Sequence, residues 1–200
     1  TPVNTIPTVS DFSEYGTEDN DVFFTLTDFT DAFTDGDSDS LVKIQITSLP
    51  ANGTLKLNGA AVSVDDEITA SNIEHLTFDP AAEWNGTTSF DWKGSDGTDY
   101  SATSATVTLT VAPLNDAPSV TSFTEIGSED APVTFALTDF TGAFADVDVD
   151  ALASIQIASL PANGTLKLNG TAVGVDYVIT ASDIANLTFV PAADWHGTTS

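Results

Sequence analysis

Thr54-Leu-Lys-Leu-Asn-Gly-Ala-Ala-Val-Ser-Val64 is the stretch that decides the fold. Thr54–Leu57 and Ala61–Val64 alternate apolar with polar residues, the period of two of half-buried strands. Between them, Asn58-Gly59 is the residue pair that a type I′ hairpin turn requires. The same alternation runs through Val22-Phe-Phe-Thr-Leu26, Leu41-Val-Lys-Ile-Gln-Ile46, Thr87-Thr-Ser-Phe-Asp-Trp92 and Ala105-Thr-Val-Thr-Leu-Thr-Val111. Short strands about every ten residues, rich in Thr, Val and Phe, predict an all-β, Ig-like Greek-key sandwich of seven or eight strands. Only Asp28–Phe33 and Ala70–Ile73 read as helical turns, the latter with Ser71 as its cap. Trp84, Trp92 and Phe78 read as core residues rather than a sugar-stacking platform.

The hairpin block returns. Residues 1–89 align without a gap on 112–200, with about two-thirds of positions identical. Phe12/Phe123, Glu18-Asp19/Glu129-Asp130, Leu49-Pro50/Leu160-Pro161 and Trp84/Trp195 anchor the alignment. A period of 111 residues is a whole domain, not a solenoid turn. The expected organisation is a first repeat over 4–112, a linker at 113–118 and a second repeat over 119–200. The linker, Pro113-Leu-Asn-Asp-Ala-Pro118, carries prolines that stiffen it. The second repeat lacks counterparts of Phe90–Val111, and the chain, which contains no Met, reads as a fragment of something longer.

Thirty Asp and Glu face four Lys and no Arg, a formal charge of −26. Nothing is available to neutralise phosphates, which excludes nucleic acid, and an anionic membrane surface is excluded on the same ground. No apolar run approaches a membrane span. With no Cys, disulfides, zinc–thiolate sites and thiol nucleophiles are all absent. So acidic a chain strains its own compact state by self-repulsion, which bound cations would relieve.

The acids are also placed for cations. Asp35-Gly-Asp37-Ser-Asp39 returns as Asp146-Val-Asp148-Val-Asp150, keeping every charge while the intervening residues change. Crowded carboxylates of this kind share a hard, oxygen-seeking ion, and Ca²⁺ accepts six to eight such ligands. An EF-hand is excluded. Ser40 or Ala151 stands where that loop needs Gly, Ile46 or Ile157 stands where it needs Glu, and the flanks read as strands. In an antiparallel sandwich, Asp35, Asp37 and Asp39 fall in a top loop beside Asp96 and Asp99, while Glu18, Asp19 and Glu83 fall in bottom turns. The linker residues Asn115 and Asp116 should then gather with Glu18, Asp19 and Glu83 from one repeat and Asp146, Asp148 and Asp150 from the next, enough for two or three ions. No catalytic arrangement emerges: His75 and His196 do not repeat, and carboxylates duplicated in each repeat suit metal better than glycoside hydrolysis.

Asn115-Asp-Ala-Pro118, the Asp-x-Asp loops and an early Glu resemble cadherin calcium motifs. The run from Leu49-Pro-Ala-Asn-Gly-Thr-Leu55 through Leu76-Thr-Phe-Asp-Pro80, Trp84-Asn-Gly86 and Ser95-Asp-Gly97 is similar to bacterial cadherin-like tandem repeats. Those repeats belong to very large, calcium-dependent, RTX-type surface adhesins, many secreted by type I systems. The resemblance implies linker ligation by Asn115 and Asp116, and top-loop ligation by Asp146, Asp148 and Asp150, with Glu18 and Glu83 answering from below. Thr5 stands where the second repeat has Asp116, so the set Asp35, Asp37, Asp39, Asp96 and Asp99 is expected to be the weaker one.

The functional expectation is therefore a non-enzymatic, extracellular, calcium-rigidified spacer in a bacterial adhesin serving attachment or biofilm formation. Its partners would be neighbouring repeats of the same chain, with any surface or glycan target met by other domains. It would be monomeric, without nucleic acid or membrane insertion. The rival expectations are a calcium-dependent carbohydrate-binding module and accessory linker domains of a secreted hydrolase.

Overall fold

A computed structural model describes residues 3–200, and it forms two compact units, one running up to Leu114 and one over Asn115–Ser200. The first unit holds strands β1 (Thr8–Val9), β2 (Phe12–Thr17), β3 (Val22–Phe23), β4 (Phe33–Thr34), β5 (Lys43–Ile46) and β6 (Gly53–Leu57). It continues through β7 (Ala60–Ala61), β8 (Glu67–Thr69), β9 (Leu76–Pro80), β10 (Gly86–Ser95) and β11 (Ala105–Ala112). One sheet has the order β2-β11-β10-β5-β8 and the other β3-β9-β6-β7, while β1 and β4 form a separate pair. Every pairing here is antiparallel except β2 with β11, which is parallel.

The period of two has its physical outcome in the core. Phe90 and Trp92 from β10, Val107, Leu109 and Val111 from β11, and Ile44 and Ile46 from β5 are buried in one cluster with Val22, Leu55, Leu76 and Phe78 of the opposite sheet. Trp92 and Phe29 meet edge to face at 5.0 Å, and Phe12 meets Phe29 at 5.0 Å, contacts worth about 0.5–1.5 kcal/mol beyond their burial. Trp84 is only partly buried, against the edge of that cluster. Asn58 and Gly59 have φ of 51° and 79°, the two left-handed residues of the type I′ turn, and Lys56 pairs with Ala61 across it. Gly53, where the hairpin begins, lies under Phe78, and a Cβ there would meet the ring at 2.4 Å.

Three local expectations change. The strand read over Val22–Leu26 stops at Phe23, and helix α1 (Leu26–Asp31) begins where the alternation of the sequence still continues. A capping box causes this: Asp28 Oδ2 accepts the Thr25 N–H at 2.7 Å and Thr25 Oγ1 accepts the Asp28 N–H at 3.4 Å. Ser71 is no cap; Thr69 precedes the 3₁₀ turn Ala70–His75, and the two hydroxyls bond each other at 3.1 Å. The strand expected over Leu41–Ile46 starts at Lys43.

The second unit repeats the plan over β12 (Ser119–Val120), β13 (Val133–Thr134), α2 (Leu137–Thr141), β14 (Phe144–Ala145) and β15 (Ser154–Gln156). Then come β16 (Gly164–Leu168), β17 (Thr171–Ala172), β18 (Val178–Thr180) and β19 (Leu187–Pro191). Its sheets are β13-β19-β16-β17, β15-β18 and β12-β14. Residues 197–200, which match the start of β10, form no strand, counterparts of Phe90–Val111 are lacking, and residues 123–128, which match β2, form no strand. The reason is pairing: β2 makes its whole ladder with β11. The smaller core is Leu166, Val173, Ile179, Ile184, Leu187 and Phe189.

Candidate metal centre

At one end of the first unit, the loop after β4 is folded around a single carboxylate. Asp35 Oδ1 accepts the N–H groups of Asp37 at 2.7 Å and Asp39 at 3.1 Å, while its Oδ2 is buried without a hydrogen-bond partner. Asp37 Oδ2 accepts the Thr5 N–H at 2.6 Å. Between β10 and β11, Asp96 Oδ1 accepts the N–H groups of Thr98 at 2.6 Å and Asp99 at 2.7 Å. The Asn4 amide then spans Asp96 Oδ2 at 2.9 Å and Asp99 Oδ2 at 3.0 Å. Adjacent residues, Asn4 and Thr5, thus tie both acidic loops to one end of the sandwich. The Asp99 N–H, and after it the Asn4 amide, hold the Asp96 carboxyl below the usual carboxylate range. Asp39 stays on the exposed rim.

The opposite end is built on Glu18, which is only 2% exposed. Its Oε1 accepts the Leu114 N–H at 2.7 Å and its Oε2 accepts the Asn85 amide at 3.2 Å. Asp19 Oδ1 accepts the Glu83 N–H at 3.4 Å, and both residues are left-handed, with φ of 60° and 57°. Asp and Asn tolerate that conformation at turns; for Glu83 it is uncommon. The two ion pairs among the described residues, Lys43–Glu67 and Lys56–Asp79, do not involve these acids. A buried carboxylate with neutral donors alone remains costly, and a cation would relieve that cost.

In the second unit, Asp148 Oδ2 accepts the Asp116 N–H at 2.7 Å, the same tether that Asp37 makes to Thr5. Asp146 Oδ1 accepts the Asp150 N–H at 3.2 Å, and Asp116 Oδ2 is buried without a partner. Asn115, Asp116, Asp146 and Asp150 line a concavity of about 220 Å³. The Asn115 amide turns back onto the Asp116 carbonyl at 2.9 Å. At the far end of this unit, Asp130 Oδ1 accepts the Asp194 N–H at 3.0 Å, with φ of 58° and 54°. That repeats the Asp19–Glu83 contact.

Four residues in these arrangements escaped the sequence reading: Asn4, Asn85, Asp130 and Asp194. The internal alignment carried the signal for most of them. Asn4 matches Asn115, Asp130 matches Asp19 and Asp194 matches Glu83. Asn85 matches His196, so the alignment gave it no support. The oxygens gathered at these ends are those of carboxylates, and Asp35 Oδ2 and Asp116 Oδ2 are left without partners. This chemistry fits a hard divalent cation such as Ca²⁺ and does not fit a soft, thiolate-seeking metal.

A β-sandwich, antiparallel but for β2 with β11, that carries acidic loops at its ends and an Asn-Asp linker defines the class. The chain belongs to the cadherin-like domain family, whose model matches residues 3–112, more than half of the 200 residues. Cadherin-like domains generally bind calcium. No curated protein matches the chain. Among solved structures it is similar to the endo-fucoidan hydrolase MfFcnA4 from glycoside hydrolase family 107, at 20% identity and a TM-score of 0.33. That alignment covers 96% of this chain and 25% of the hydrolase. A single-residue variant of the same enzyme aligns at 20% identity and a TM-score of 0.35, covering 98% of this chain and 28% of that one. This chain therefore spans about a quarter of the length of those proteins. No helix among the described residues is long and apolar enough to cross a membrane.

Proposed function

We propose that the chain supplies calcium-rigidified spacer repeats to an extracellular bacterial adhesin. One observation carries this reading: in each unit the residues leading into the sandwich are tied by a backbone N–H to the middle Asp of the acidic loop, Thr5 to Asp37 and Asp116 to Asp148. Such a tether couples the direction in which the chain enters a unit to the loop whose acids would hold the ion. The proposed donors are Asn115, Asp116, Asp146, Asp148 and Asp150 on the linker side, with Glu18, Asp19 and Glu83 from the preceding repeat. In the first unit they are Asn4, Asp35, Asp37, Asp96 and Asp99, with Asp39 at the rim. Bound there, Ca²⁺ cancels the mutual repulsion of these carboxylates and fixes the segment that carries them. Extracellular modules of this kind hold Ca²⁺ at roughly 10⁻⁴–10⁻³ M, a range that leaves the chain slack before secretion and ordered after it.

The work of such repeats is positional. They would hold other domains, which meet the surface or glycan target, away from the cell, and no step of chemical catalysis is assigned to them. Thermal melting tests the reading. Ligand bound only by the folded state adds about 2.7 kcal/mol at a hundredfold excess over Kd. The melting temperature should therefore fall in EDTA, recover in millimolar Ca²⁺ and recover poorly in Mg²⁺, which prefers a smaller octahedral shell. Coincident curves in EDTA and Ca²⁺ would remove the proposal.

A further inference from the structure

We propose that Tyr100 is a positioning residue: with Glu67 and Lys43 it fixes the loop 96–99, and so sets how tightly the acidic end of the first unit holds Ca²⁺. The proposal rests on the calcium reading above and deepens it with three residues outside the proposed donor set. The loop itself, Asp96-Gly-Thr-Asp99, is short, carries two like charges and turns on Gly97 at φ of 98°. Its acids repel each other, so a loop of this kind is poorly held unless something beyond it fixes its shape.

The restraint lies at Tyr100, the next residue. Its backbone forms an isolated bridge with Ser95, which closes the loop at its neck. From Ser95 the register runs across the sheet to Lys43 on β5, and from Lys43 to Thr69 on β8. Glu67 stands opposite Gln45, which makes it a diagonal neighbour of Lys43 on the same face. The Tyr100 side chain crosses this row. Its hydroxyl donates to Glu67 Oε1 at 2.5 Å, and Lys43 Nζ lies 5.1 Å from its ring centroid. Lys43 Nζ also donates to Glu67 Oε2 at 2.8 Å, so a single carboxylate holds both partners. A loop that leaves β10 is thus anchored on β8, two strands further across the sheet. Ser95 is only 2% exposed beneath it, and its Oγ accepts the Gly97 N–H at 3.1 Å.

The anchor reaches the acids through one bond. Asp99 precedes Tyr100, and its N–H donates to Asp96 Oδ1 at 2.7 Å, so a shift of Tyr100 is passed to both carboxylates. An exposed ion pair adds little to stability by itself. What this one supplies is a fixed point. A loop already held in its ligating shape loses less freedom when the ion binds, which tightens binding without a further donor. Residues that orient metal ligands are worth roughly 10–100-fold in affinity. The second unit has Ser154 and Val178 where the first has Lys43 and Glu67, so the two anchoring charges are peculiar to the first unit.

Tyr100→Phe removes the hydroxyl and keeps the ring. In the full chain, calorimetric titration with calcium chloride should show one set of sites weakened about tenfold. Glu67→Ala should act in the same way, whereas Glu67→Gln keeps an acceptor for the hydroxyl and should recover most of the affinity. In an Asp99→Asn background, Tyr100→Phe should add little, since the loop has already lost a ligand. A loss of the same size in that background overturns the proposal. So does a Tyr100→Phe variant that melts lower in EDTA but binds calcium like the parent, the behaviour of a purely structural staple. A second measurement needs no metal. In EDTA, the Thr98 and Asp99 amides should exchange severalfold faster in Tyr100→Phe than in the parent chain, and equal rates overturn the positioning role. A parent chain that takes up no Ca²⁺ removes the calcium reading and this proposal with it. A parent and a Tyr100→Phe variant that bind equally well remove only the role of Tyr100.

Discussion

Val149 has φ of +65°, in the left-handed region, and its side chain is 88% exposed. The matching residue of the first unit, Ser38, has the same φ of 65°. Left-handed backbone costs an L-residue roughly 1–2 kcal/mol, and a β-branched side chain suffers most. The fold of the acidic loop imposes the conformation: the Val149 N–H donates to the Asp146 carbonyl at 3.3 Å, as Ser38 does to Asp35. Val149→Asn should therefore stabilise the second unit by about 1 kcal/mol, since Asn tolerates that region and no core contact is lost. The reverse change, Ser38→Val, should destabilise the first unit by a similar amount. Denaturant midpoints measured in EDTA check both, and a Val149→Asn midpoint at or below that of the parent chain would refute the strain. The sequence disclosed the charges of these loops without disclosing the strain, because a one-letter pattern shows which residues repeat and not which φ they adopt.

At the scale of elements, α1 and α2 offer a controlled comparison. Both are preceded by a residue in extended backbone, Thr25 at φ −112° and ψ 155°, Ala136 at φ −107° and ψ 153°. Thr25 completes a reciprocal capping box. With Ala136 only the reverse bond remains, from its N–H to Asp139 Oδ2 at 2.7 Å. Ala136→Thr restores the missing acceptor in a backbone already suited to it. It should stabilise the second unit by about 0.5–1 kcal/mol, the usual worth of an N-cap hydroxyl. Thr25→Ala should cost the first unit as much, and urea titrations of the two variants measure both. The same pair shows what was legible. The hairpin at Asn58-Gly59 was readable because its turn chemistry is confined to two residues and its flanks alternate. Helix α1 was partly hidden because Phe24-Thr-Leu26 continues the alternation into it, and the Thr25–Asp28 box that overrides the alternation is a contact between residues three apart. β2 was hidden altogether, since its ladder depends on β11, which lies some ninety residues further along the chain. The acidic loops were readable because carboxylates at alternating positions have no apolar use. Asn4 and Asn85 were not, because a neutral amide acquires meaning only from the carboxylates that the fold sets against it.

At the scale of the molecule, charge and core size act in different directions on the two units. The first carries 19 acids against three Lys, the second 11 against one. Repulsion is therefore greater in the first. Yet its core joins both sheets through nineteen buried residues, whereas the second unit buries six. Apolar burial contributes roughly 25 cal/mol per Å², and a fully buried Leu, Ile or Phe about 1.5–3 kcal/mol, so the larger core outweighs a few extra screened surface charges. Unfolding of the chain should consequently show two transitions, the second unit opening first. Hydrogen exchange resolves them by element: amides of β16 and β19 should exchange at lower denaturant than those of β5, β10 and β11. Salt added in EDTA should raise both midpoints by screening, and raise that of the first unit more, because its net charge is −16 against −10. A single coincident transition for all these strands would mean that the two units unfold as one body, and that core size does not set their order.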